Sequence, residues 1–135
     1  LKSLTNKLGL EGAVEFVGWQ ENLTSFYKTA NVFLQTSLFE GYGLSLIEAG
    51  LSGLPVLTTP VGIANELESG KDAFIYTAND PAPFANTIVE LIEDNQKREN
   101  VRVNFKDTLK KKLLSKEDYL SNMKKNWEEI STRVK

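Results

Sequence analysis

Four short apolar runs rich in β-branched residues, at positions 14–17, 32–36, 55–59 and 73–77, punctuate the first part of this 135-residue chain. Each is nearly continuously apolar rather than alternating, the pattern of a strand covered on both faces in a parallel sheet. Helix-compatible segments separate them at 21–29, 44–52 and, more briefly, 64–69. A strand, helix, strand rhythm of this kind predicts right-handed crossovers. The expected class is α/β, a Rossmann-like doubly wound parallel sheet.

The flanks read as helix. Leu1, Leu4 and Leu8 recur at helical spacing and Gly9 stops the pattern, with neither an initiator Met nor a capping residue ahead of them. The chain is therefore expected to begin inside a helix, as a fragment of a longer protein. Asp80-Pro81 offers an N-cap with proline at the first helical position, followed by Phe84, Ile88, Leu91 and Ile92 on one face. Positions 96–114 and 116–134 are lysine-rich and amphipathic. The simplest division is a partial sheet domain over 1–95 and a C-terminal helical extension over 96–135.

Composition removes several chemistries. With no His and no Cys, the chain lacks Ser-His-Asp and Cys-His nucleophilic machinery, the common zinc sites and thiol redox chemistry. No apolar run approaches the roughly 20 residues of a membrane span and no leader precedes the fold, so a cytoplasmic location is expected. The net charge of −2 conceals an asymmetry: 12 acidic against four basic groups up to Gln96, and 12 basic against six acidic groups from Lys97 onward. An acidic body argues against a nucleic-acid partner, since phosphate backbones need clustered Lys and Arg.

Open parallel sheets bind ligands at the carboxyl ends of their strands. The loop after the second run is the richest: Ser37-Leu38-Phe39-Glu40-Gly41-Tyr42-Gly43 leads into a helix beginning at Leu44. Glycines there let a ligand approach backbone N–H groups at the positive end of a helix dipole, which makes a phosphate or diphosphate seat. Glu40 precedes the helix. Glu48 lies more than one turn into it, beside an apolar stripe of Leu44, Ile47 and Leu51, with no Lys or Arg one turn away. Such a carboxylate can accept from the vicinal hydroxyls of a ribose or hexose. Taken singly, the glycines more often read as turn residues and the carboxylates as helix-terminus charges, and it is their coincidence on one strand-loop-helix unit that favours a site.

The string from Ser37 to Ala49, followed by Gly53-Leu54-Pro55-Val56, resembles the nucleotide-sugar half of the group 1 retaining glycosyltransferases of the two-domain GT-B fold. It holds that family's Glu, seven residues, Glu pattern as Glu40 and Glu48. Further marks are Val14 to Gly18, Tyr27 to Val32, and Gly62 with Glu66, so the likeness covers roughly residues 8 to 95 in order. The resemblance implies that Glu48 holds the ribose hydroxyls of a nucleotide-diphosphate sugar and that Glu40 lies near the transferred sugar as the catalytic carboxylate. It further implies that the backbone around Gly41, Gly43, Leu44 and Ser45 receives the diphosphate. The turn at Gly18 and Trp19 would border the base, with Ser37 and Tyr42 lining the pocket.

The sequence contains no Asp-x-Asp, and the resemblance implies a GT-B enzyme that needs no catalytic metal, so no cofactor and no metal are expected. The family's diphosphate-binding Arg and Lys, and its acceptor-binding N-terminal domain, have no counterpart in this chain. The fragment alone is therefore expected to be inactive and to bind diphosphate weakly. Val61-Gly62 replaces the family's Gly-Gly, and Ala73 stands where it has Gly. Two other readings stay open: a non-catalytic nucleotide or small-molecule binding module, and a related GT-B enzyme such as a sugar epimerase or phosphorylase. The lysines between Lys106 and Lys125 suit either packed helices, the last crossing onto the absent N-terminal domain, or an anionic membrane surface.

Overall fold

The computed structural model describes residues 1–133, so Val134, at the end of the last expected helix, lies outside the described residues. Its three strands, β1 (Phe33–Gln35), β2 (Val56–Thr58) and β3 (Phe74–Ile75), form one parallel sheet in the order β1-β2-β3. Phe33 pairs with Val56 and Leu57 with Phe74. Among the described residues six α-helices accompany it: α1 (Lys2–Lys7), α2 (Thr24–Thr29), α3 (Leu44–Leu51), α4 (Pro81–Glu93), α5 (Asn95–Lys112) and α6 (Lys116–Arg133). The short helix expected near 64–69 is a 3-10 turn at Gly62–Glu66.

β2 explains why its run is continuously apolar. Successive side chains of a strand point to opposite faces, and Val56 and Leu57 are both fully buried. Val56 joins a cluster with Leu46, Ile47, Ala49 and Ile63, whereas Leu57 joins Phe74, Phe84 and Leu91. α5 contributes to both, Phe105 and Leu109 to the first and Val101 to the second. Complete burial of a side chain such as Phe105 contributes roughly 1.5–3 kcal/mol.

Three expectations are corrected. The run at 14–17 forms no strand: Val14, Phe16 and Val17 lie on an exposed segment without regular secondary structure. A strand requires a hydrogen-bonded neighbour, and none pairs with this segment among the described residues. On α4, Ile92 is 68% exposed, and the inward face is Phe84, Thr87 and Leu91. On α3, Leu44 and Leu51 point outward while Leu46, Ile47, Ala49 and Gly50 face the core. Glu48 is consequently a surface carboxylate and not one at the edge of a buried stripe.

Candidate donor-binding site

The loops leaving β1 and β2 are tied together at the carboxyl end of the sheet. Thr59, fully buried, donates its hydroxyl to the Ser37 carbonyl, and Ile63 N–H donates to the Tyr42 carbonyl at 2.8 Å. Ser37 Oγ in turn donates to Glu40 Oε1 at 2.8 Å. A buried threonine thus holds the backbone of the residue whose hydroxyl holds the carboxylate. Gly43 closes the loop in the left-handed region, φ 90° and ψ 52°, a conformation that favours glycine.

α3 then begins with no side-chain cap. The contrast with the three longer helices is direct. Asp80 accepts from Ala82 N–H at 3.1 Å, Asp94 from Lys97 N–H at 2.9 Å and Ser115 from Asp118 N–H at 3.0 Å. A cap of that kind contributes about 1 kcal/mol. Without one, the first-turn amides of α3 present the positive end of the helix to whatever occupies the loop.

Two clefts lie along α3, one reaching Ser45 in its first turn and the other reaching Glu48, Leu51 and Ser52 further along it. Ser37, Glu40 and Ser45 share a cleft of about 440 Å³ with Tyr27 and Gln35. Trp19 and Glu48 share a second, of about 500 Å³, with Gln20, Asn22 and Thr24. Tyr27 borders both. The two carboxylates are therefore held in neighbouring clefts around one aromatic ring. Gly18, Gly41, Tyr42, Gly43 and Leu44 line neither; Tyr42 is half-exposed, Leu44 more so, and Gly18 turns the chain with φ 66°.

Several contributors were not singled out as site residues from sequence. Tyr27 Oη donates to Glu48 Oε2 at 3.0 Å, so the carboxylate that had no cation within one turn has a partner 21 residues away on α2. Burial, then the bond to Glu48, pushes the Tyr27 hydroxyl up to about 12. Gln35 is buried, and both polar atoms of its side chain lack a hydrogen-bond partner among the described residues. Its place at the carboxyl end of a predicted strand was the available signal. A third cleft, of about 560 Å³, lies at the amino ends of the strands beside Asn31 and Pro55. Its arginines close helix ends: Arg98 donates to the Leu91 carbonyl at 2.7 Å and Arg102 to that of Gly53.

Among the described residues no three carboxylates converge as a metal-binding group, and no helix is long and apolar enough to cross a membrane. α6 keeps Tyr119, Leu120, Met123, Trp127 and Ile130 exposed.

A parallel sheet whose glycine-bearing loop delivers an uncapped helix beside two clefts defines a Rossmann-like α/β domain. The chain belongs to the family described as Glycosyl transferases group 1, whose profile matches residues 1–94. It is 38% identical over 104 residues to a sucrose synthase from Denitrovibrio acetiphilus, covering 71% of this chain and 13% of that protein. The crystal structure of Anabaena Alr3699/HepE in complex with UDP superposes with a TM-score of 0.76 at 29% identity, covering 82% of this chain and 31% of that one. The same protein has been solved with UDP-glucose. Sucrose-phosphate synthase from Thermosynechococcus elongatus shares the fold, with a TM-score of 0.82 at 24% identity over 98% of this chain and 34% of its own. The chain thus spans about a third or less of the relatives it matches, and corresponds to their C-terminal part.

Proposed function

We propose that this chain is the donor-binding part of a retaining glycosyltransferase, acting within a longer polypeptide that transfers a sugar from a nucleotide-diphosphate sugar to an acceptor. The observation that carries the reading is the uncapped, glycine-led terminus of α3 with Glu40 in the loop before it and Glu48 within it. A departing nucleoside diphosphate develops negative charge, and fixed N–H dipoles stabilise that charge without reorganising. In this reading the amides around Gly43, Leu44 and Ser45 receive the diphosphate, and Glu48 accepts from the ribose hydroxyls beside Trp19. Glu40 stands next to the transferred sugar, with Ser37 occupying one of its oxygens. The likeness to a protein solved with UDP and with UDP-glucose supports the ligand class.

The chemistry proceeds without a metal, and the chain by itself is inactive. Between Gly9 and Gln96 its only basic groups are Lys28 and Lys71. Lys71 pairs with Glu68 at 2.7 Å and Lys28 lines the cleft at the amino ends of the strands. The remaining diphosphate contacts and the acceptor site come from the rest of the parent protein. We place that protein in the cytoplasm.

Calorimetric titration of the full-length protein with UDP, GDP and ADP tests the reading. Binding of one of the three, weakened by Glu48→Gln, is the expected result. A folded protein that binds none of them would instead support a non-transferase binding module.

A further inference from the structure

Tyr27 is held from two sides. Its ring packs against the core cluster of α3 and α5 and lies 6.2 Å from the Phe33 ring at 53°. Its hydroxyl reaches Glu48 Oε2 at 3.0 Å. Glu48 makes no ion pair among the described residues. The tyrosine hydroxyl is thus the group that restrains an otherwise solvent-exposed glutamate, whose long side chain has several rotamers to choose from.

An ionised carboxylate offers about four acceptor positions over its two oxygens. Tyr27 takes one on Oε2 and leaves Oε1 clear. Two adjacent hydroxyls of a furanose need a carboxylate presented in one orientation, since a freely rotating one loses side-chain entropy on binding. A neutral donor also restrains Glu48 without neutralising it, as a lysine would.

We infer that Tyr27 is a positioning residue that orients Glu48 toward a vicinal diol, and that the pair makes the nucleotide site selective for ribose over 2′-deoxyribose. This rests on the proposed role of Glu48. A hydroxyl withdrawn from the ligand leaves an acceptor unpaired only where the carboxylate is already aimed, so selectivity reports on orientation as well as on the presence of the carboxylate. A purely structural role for Tyr27, packing α2 against Phe33, would leave that ratio untouched.

The test is calorimetry on the full-length protein with UDP, GDP and ADP, each beside its 2′-deoxy counterpart, for wild type, Tyr27→Phe, Glu48→Gln and the double variant. Phenylalanine keeps the ring contact, and the melting temperature of each variant checks that it folds. Wild type should prefer the ribonucleotide by at least roughly tenfold, the lower end of the scale for one hydrogen bond to a charged group. Tyr27→Phe should reduce that preference to about twofold or less, Glu48→Gln should do the same, and the double variant should lose no more than either. An unchanged ratio in Tyr27→Phe together with a collapsed ratio in Glu48→Gln overturns the inference and leaves the donor-site reading standing. An unchanged ratio in Glu48→Gln, or no binding of any nucleotide, overturns both.

Discussion

Gly62 lies with its α-carbon against the backbone of Tyr42: a β-carbon there would stand 2.5 Å from the Tyr42 carbonyl oxygen and 3.3 Å from the Gly43 amide nitrogen. The loop after β2 therefore supports the loop that opens α3, and the support depends on the absence of a side chain. Gly62 also has φ 55°, where an L side chain is strained. Gly62→Ala should lower stability by at least about 1 kcal/mol and weaken nucleotide binding, because the peptide it displaces leads into the amides of α3. Denaturant unfolding and UDP, GDP and ADP calorimetry on the intact protein would check this. Unaltered stability would mean that the two loops are not in contact.

Gly50 sits where α3 crosses α5, and a β-carbon would come within 2.3 Å of the Phe105 ring. Alanine ordinarily favours a helix interior over glycine by about 1 kcal/mol. Here overpacking against a fully buried ring should outweigh that gain, at a cost of about 1–3 kcal/mol. Gly50→Ala is expected to lower the melting temperature. Gly41→Ala, where a β-carbon meets nothing within 4 Å, should leave it unchanged. A stabilised Gly50→Ala would show that α5 can withdraw from α3.

Gln35 buries an amide with no partner among the described residues, next to Ser37 and Glu40 in one cleft. An unpaired buried polar group costs about 1–3 kcal/mol. Gln35→Leu should accordingly stabilise the protein by about 1 kcal/mol, measured by urea unfolding. Loss of stability would show that the amide is satisfied in the intact protein.

Tyr27 supplies a pH signature. Burial, then the bond to Glu48, pushes its hydroxyl up from the ordinary 10 to about 12, so the folded state holds the proton more tightly than the unfolded one. The stabilisation is then fully present below pH 10 and is lost as pH rises towards 12. The difference in tyrosinate absorbance between wild type and Tyr27→Phe should show one phenol ionising above the ordinary range. A Tyr27 titration centred at 10 would argue against the bond to Glu48.

The run around β2 was legible because a parallel strand buried on both faces has almost no freedom of composition, and those around β1, whose Leu34 is exposed, and β3 were legible from their apolar, strand-favouring content. The helix cap at Asp80 was legible because capping acts within four residues. The loop from Ser37 to Gly43 stood out for the same local reason, its glycines and carboxylates being neighbours in sequence. The run at 14–17 misled because apolar, β-branched composition shows that a segment can form a strand, whereas a ladder exists only where another strand supplies its hydrogen bonds.

Sequence alone thus determined the α/β class, the order of most elements and the glycine-led entry to α3, all of which follow from propensity and periodicity over short windows. Tertiary structure alone decided which face of α3 is buried, that α5 completes both halves of the core, and that Thr59, Gly62 and Tyr27 support the groups around Glu40 and Glu48. Those relationships join residues more than 15 positions apart. No local pattern encodes them, because they arise only when crossovers bring separate loops to the same end of the sheet.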